Sequence, residues 1–235
     1  MSVSETSETM TSHGSNQAIA SARIFRIHST PERSGSFFYK ALHGSHKIGR
    51  YWLNIPTLEE RCFCQECKSD KSMDHILTEC EHSTRTLIWE KAKTLWPHGE
   101  NTWPKISLGT IIECNTLTIR TEQKKTDKTT GQVQWTKVHD SGATRLLKIV
   151  ISESAYLIWT LRCERTIRGK AHTDREVEAA WLKVINRRLS EDKTTATKVL
   201  RREQYTNLVK NTWDRALYKR HCNLPEDWMN RNVVF

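Results

Sequence analysis

Four residues of this 235-residue chain have the types and spacing of a metal site: Cys64-x2-Cys67-x7-His75-x4-Cys80. Zinc takes four soft or borderline ligands in a tetrahedron, and three thiolates with one imidazole supply such a set. Two cysteines separated by two residues form a tight knuckle that points both sulfurs at one ion. The seven-residue loop returns the chain, and His75 with Cys80 closes the shell. On an ideal helix residues five apart lie about 140° apart, so Asp74 to Cys80 is expected to be a short helix that distorts or ends before Cys80. A closed Cys3His shell leaves no open position, so the expected cofactor is one structural zinc ion. Its binding would add folding free energy to a region poor in apolar residues. The bland alternative is two unrelated cysteine pairs on a helical surface.

Cys62 and His82 flank the set. Cys62-x-Cys64 is too cramped for a knuckle, and His82 follows Cys80 after a single residue, so both read as neighbours. Cys114, Cys163 and Cys222 are isolated and read as small core or surface residues. Seven cysteines, an odd number with four of them within nineteen residues, fit metal better than a disulfide framework. The N-terminus lacks a basic region followed by an apolar stretch and does not read as a signal peptide. No run approaches the ~20 apolar residues of a membrane span. An intracellular protein of the nucleus or cytoplasm, without a membrane partner, is expected.

Catalytic patterns do not stand out. There is no G-x-S-x-G, P-loop or dinucleotide loop, and the chain has only 9 glycines. Carboxylates fall in polar runs (Glu79–Glu81, Glu191–Asp192, Glu226–Asp227) instead of converging for two-metal chemistry. The expectation is a protein that is not an enzyme. Its formal charge of +10 suggests a polyanionic partner, nucleic acid first. Lys40, Lys47, Arg50, Trp52, Lys68 and Lys71 around the cysteines are the candidate nucleic-acid-binding residues: basic side chains for phosphates and an aromatic for unpaired bases. Arg162, Arg165, Arg168 and Lys170 recur at roughly helical spacing, although such residues at a helix end also complement the macrodipole.

The elements that must position these residues read as mainly α: a small zinc knuckle packed with, or linked to, a C-terminal bundle of about three helices. Residues 1–33 read as a disordered leader, the first 21 holding six Ser and three Thr. Residues 34–112 carry the knuckle with flanking helices, one short around Phe38 to Leu42 and one from about Ser83 to Trp96. Residues 113–142 read as a flexible insertion around TEQKKTDKTTG, with a strand at most at Gln132 to Val138. Residues 143–235 form the bundle. Its first helix runs from about Ala143 to Arg168 with Gly169 as its stop. The second opens on the capping-box pattern Thr173-Asp-Arg-Glu176, and the third runs from roughly Thr195 to Lys219. Trp159, Trp181 and Trp213 fall on apolar stripes and read as core anchors, with Trp228 packing back on the bundle.

The segments FFYKALHGSHKIGRYW (37–52), IPTLEERCFCQEC (55–67), MDHILTEC (73–80), ISESAYLIWTLRCERTI (151–167) and NLPEDW (223–228) give the chain a resemblance. It resembles the C-terminal region of fungal LINE-type (non-LTR) retrotransposon polyproteins, where a reverse-transcriptase-associated zinc-binding domain follows the RNase H domain. The family's Cys-x2-Cys…His-x4-Cys pattern maps onto Cys64, Cys67, His75 and Cys80. The resemblance implies an accessory module that helps grip RNA or a nicked DNA target, with other polyprotein domains as further partners. The paired aspartates of a reverse transcriptase and the carboxylates of RNase H are absent from this chain. The alternative is therefore a structural or protein-interaction remnant of such a polyprotein, with no independent activity.

Overall fold

A computed structural model describes residues 32–126, 132–221 and 223–235. The expected leader, apart from its last two residues, lies outside them, as do the centre of the insertion and Cys222. The chain divides at His46 into two compact units. In the first, helix α1 (Glu32–Leu42) brings Phe37 and Phe38 edge to face at 5.0 Å. Gly44 takes the left-handed conformation (φ +57°) that ends the helix, and the Ser45 N–H returns to the Lys40 carbonyl at 2.9 Å.

The second unit begins at Lys47 and is mainly α. Its helices are α2 (Ser83–Leu95), α3 (Leu108–Ile112), α4 (Ser141–Arg168), α5 (Asp174–Lys198) and α6 (Arg202–Arg220). The central element is α4. Leu146, Leu147, Ile149, Val150 and Ile151 are all within about one per cent of full burial, and apolar coverage on every side marks a helix enclosed by others. Helices α2, α5 and α6 surround it, so the helix that follows the cysteines joins the bundle beside the three expected ones. Asp140 caps α4 by accepting from the Ala143 N–H at 2.8 Å, and Gly169 ends it at φ +67°. Thr173 and Glu176 form the reciprocal capping box at the start of α5.

Helix α1 starts at Glu32, ahead of the expected Phe38, and the boundary between α5 and α6 also differs from the sequence expectation. Helix α5 runs on through Lys198, and the break falls at Val199–Arg201 instead of before Thr195. Ala196 is buried, so an apolar contact extends the helix through a Thr-rich stretch of modest propensity. Of the four tryptophans expected to anchor the bundle, Trp181, Trp213 and Trp228 are buried, with Trp228 donating to Asp214 Oδ1 at 2.7 Å. Trp159 is only half-buried.

Helices α4 and α6 meet at Gly142, where a Cβ would stand 2.2 Å from the Asn211 carbonyl oxygen. A buried ion pair ties the same region together. Asp192 on α5 accepts from both terminal nitrogens of Arg145 on α4 at 2.6 Å. It also accepts from the indole N–H of Trp213 on α6 at 2.7 Å.

In the polar segment between α3 and α4, strands β1 (Arg120–Thr126) and β2 (Val133–His139) pair antiparallel in the register Arg120↔His139 to Thr126↔Val133. The base of this hairpin is tied to α4 by the Ile119 N–H, which donates to Thr144 Oγ1 at 2.8 Å. Among the described residues no helix is long and apolar enough to cross a membrane.

Candidate metal centre

The knuckle is a tight reversal. Phe63 and Asp70 form an isolated antiparallel bridge. Inside it the Cys64 N–H donates to Ser69 O at 2.8 Å, and the Lys68 N–H to Cys64 O at 2.9 Å. Lys68 turns the chain with φ +56°, a conformation more usual for glycine. Behind the knuckle, the Lys71 N–H donates to the carbonyl of fully buried Cys62 at 2.8 Å. Gly49 (φ +52°) lies so close that a Cβ would stand 2.8 Å from the Lys71 carbonyl oxygen. Only glycine lets the 3-10 turn Gly49–Asn54 back onto the knuckle this closely.

The second ligand pair sits on a π-helical turn, His75–Glu79. Its closing bond runs from the Cys80 N–H to the His75 carbonyl at 2.7 Å, five residues back. This is the distortion that the spacing requires: a turn widened by one residue returns positions five apart to the same side, and such bulges recur at functional sites. The Ser72 hydroxyl holds the start of the turn by accepting from the His75 N–H at 2.8 Å. The Trp89 indole N–H on α2 fixes its middle, donating to Leu77 O at 2.8 Å.

The donor atoms of Cys64, Cys67, His75 and Cys80 all lie within 4.8 Å of one another. Cys80 Sγ is 3.8 Å from Cys64 Sγ and 3.9 Å from Cys67 Sγ. A zinc tetrahedron with Zn–S near 2.3 Å has an S···S edge of about 3.8 Å, whereas a disulfide needs about 2.05 Å. The cysteines are free thiols at the separation of common ligands.

The surroundings pull two of the thiols in opposite directions. Burial pushes the Cys64 thiol up, but the Cys67 N–H, the His75 imidazole and the Glu66 N–H outweigh it and bring the group to about 6. Burial drives Cys80 the other way, to about 12, against the His82 N–H and with the negative charge of Cys64 and Cys67 adding to the effect. The Glu81 N–H donates to Cys67 Sγ at 3.3 Å. Crowded sulfurs that resist ionising together are what a dication at their centre relieves.

His75 is buried, and its Nε2 makes no hydrogen bond. An orphaned buried nitrogen costs about 1–3 kcal/mol, and a metal is the partner that removes this cost. Its Nδ1 lies 3.3 Å from the Ser69 hydroxyl, the outer contact that fixes the ring of a metal-bound histidine. His82 is engaged elsewhere, since its Nδ1 accepts from the Thr84 N–H at 3.2 Å and caps α2. Cys62 and His82 are not in the cluster. Cys114 is fully buried, and burial pushes its thiol up to about 12.

Of the six candidate nucleic-acid-binding residues, one lies in the first unit and five in the second. Lys40 is exposed on α1 in the first unit. In the second, Lys47, Arg50 and Lys68 are exposed; Lys47 lies over the Tyr51 ring at 5.5 Å, and Arg50 pairs with Asp70 at 3.5 Å. Trp52 is half-buried, donates its indole N–H to Lys47 O at 3.0 Å and carries the Arg61 guanidinium over its ring at 5.1 Å.

Lys71 alone of the six is buried, 7% exposed. It lines a cleft beside the metal cluster with Arg85 of α2 and Arg162 and Arg165 of α4. Burial, then Arg162 and Arg165, hold its ammonium below the usual lysine range, against the opposing pull of Cys64 and Cys62. In the sequence, Arg162 and Arg165 read as a basic run on one helix. Their convergence with Lys71, 91 positions before Arg162, had no local signal. No family model, curated protein or solved structure matches this chain, so the functional reading rests on this geometry and on the sequence.

Proposed function

We propose that the Cys3His cluster holds one structural zinc ion and that the domain built on it is a non-catalytic, nucleic-acid-binding accessory module. The carrying observation is the cluster: four donors from two separately braced turns, with sulfur separations matching a tetrahedral ion and an orphaned imidazole nitrogen among them. Three thiolates with their net negative charge select a borderline-soft dication over calcium or magnesium. A closed four-ligand shell serves structure.

Nucleic acid is supported by the net charge of +10 and by the resemblance to retrotransposon polyproteins. Binding without catalysis is supported by the fate of the two most buried carboxylates. Asp192 is held by Arg145, and Glu153 lies against Arg187 and Arg188 at 3.2 and 3.4 Å. Both hold helices together. Anisotropy titrations with labelled single-stranded RNA and single- and double-stranded DNA test the proposal. Binding at low salt should weaken steeply as salt rises, in proportion to the phosphates neutralised. Absence of binding at low salt would refute it and leave the structural-remnant alternative.

A further inference from the structure

The cleft beside the metal cluster combines burial, charge and missing partners in a way that the bundle's stability does not require. Lys71 and Arg162 are 7% and 8% exposed. Lys71 lines the cleft, and the charges of Arg162 and Arg165 act on its ammonium. Arg162 Nε is buried with no hydrogen-bond partner, and its guanidinium has only a 3.9 Å contact to Cys163 Sγ and the face of Trp159 at 5.3 Å. Arg165, one helical turn on, is half-buried. Arg85 commits its Nε to the Cys80 carbonyl at 2.5 Å and one terminal nitrogen to Thr86 at 3.1 Å. No carboxylate lines the cleft. Glu66 and Asp174 act on His82, which also lines the cleft.

A bound zinc ion does not balance these cations. Three thiolates and one dication leave a single net negative charge, against four formal positive charges on Lys71, Arg85, Arg162 and Arg165. Buried cations are ordinarily paired, and Arg162 Nε, buried without a partner, is not. A small anion is the group whose charge complements this lining. The free space inside is about 30 Å³, roughly twice what one water needs. That is room for about two or three oxygen-sized groups, which suits the oxygens of a phosphate entering from the open side.

We infer that this cleft, walled by the Lys71 loop, α2 and α4, is a binding site for one backbone phosphate of a nucleic-acid strand. The assignment rests on the nucleic-acid reading above and gives it a location. It also gives the metal a part in binding, since the knuckle places Lys71 opposite Arg162 and Arg165. Bases then lie outside the cleft, so the contact fixes strand position without reading sequence.

Two measurements on the full chain, loaded with zinc, test the site. The first is calorimetric titration with inorganic phosphate at constant ionic strength. The second is the salt dependence of binding to a labelled single-stranded DNA oligonucleotide. Lys71→Gln and the more exposed Arg165→Gln are compared with wild type, with zinc content and thermal midpoint confirming that each is folded. Each variant should lose heat of phosphate binding and lower the slope of log K against log salt by about one. Oligonucleotide binding with unchanged slopes in both variants would overturn the cleft assignment and leave the nucleic-acid reading standing. Phosphate binding that Lys71→Gln abolishes, in a protein that binds no oligonucleotide, would overturn the nucleic-acid half alone. Should neither ligand bind, both fall.

Discussion

Replacing Asp192 by alanine removes a buried anion that ties three helices together. Its carboxylate is 3% exposed and accepts two bonds from Arg145 at 2.6 Å and one from the Trp213 indole at 2.7 Å, with the Tyr205 hydroxyl at 3.4 Å. The Arg145 side chain is 13% exposed, so its guanidinium has little water to turn to. Breaking one side of a buried pair costs about 3–5 kcal/mol, because the remaining charge stays desolvated. The stranded indole N–H pushes the figure toward the upper end. For a chain of this size the urea dependence lies near the top of the usual range, about 2–3 kcal/mol per molar. Asp192→Ala should therefore lower the urea midpoint by roughly 1–2 M, followed by far-ultraviolet circular dichroism at matched zinc loading. The pair Arg145→Met with Asp192→Leu removes both charges and should recover most of the loss, as apolar replacement of buried pairs often does. A midpoint shift under about 0.3 M for Asp192→Ala, or a double variant as unstable as the sum of the singles, would refute the reasoning.

Gly142→Ala sets two effects against each other. Helix propensity favours alanine by about 1 kcal/mol, but the new Cβ would stand 2.2 Å from the Asn211 carbonyl, forcing α4 and α6 apart. Overpacking of this kind costs about 1–3 kcal/mol or more. The clash should win and lower the melting temperature by several degrees; a stabilised variant would mean the two backbones do not cross here. Ser69→Ala removes the hydroxyl at 3.3 Å from His75 Nδ1. It should weaken metal affinity about 10–100-fold in a chelator competition while leaving the stoichiometry unchanged.

What the sequence made legible follows from how local each signal is. The ligand spacing, the Thr173–Glu176 capping box, the Gly169 stop and the apolar coverage of α4 are all encoded within a turn or two of chain. Even the π turn was implicit in the five-residue step from His75 to Cys80. Contacts between distant segments left no such trace. Asp192 sits in the polar run Glu191–Asp192 and reads as surface, because its partners lie 47 positions before it and 21 after it. Gly142 looks like an ordinary helix-start glycine until Asn211 is placed against it. Trp52 reads as a stacking aromatic, and only the structure puts Arg61 over its ring. The cleft shows the same division: the helical spacing of Arg162 and Arg165 is visible in the sequence, whereas Lys71 reaches them only after the knuckle has folded.

On the proposed reading, both the knuckle and the cleft beside it depend on the metal. The most direct measurement is elemental analysis with native mass spectrometry of the purified chain, alongside His75→Ala and Cys67→Ser and with a thermal melt before and after chelation. The expected result is about one zinc per wild-type chain, its loss in both variants, and a clear fall in the melting temperature when the ion is removed, because binding free energy is folding free energy at such a site. A wild-type chain that carries no zinc when zinc is supplied, and that melts at the same temperature with or without chelator, would contradict the metal centre itself.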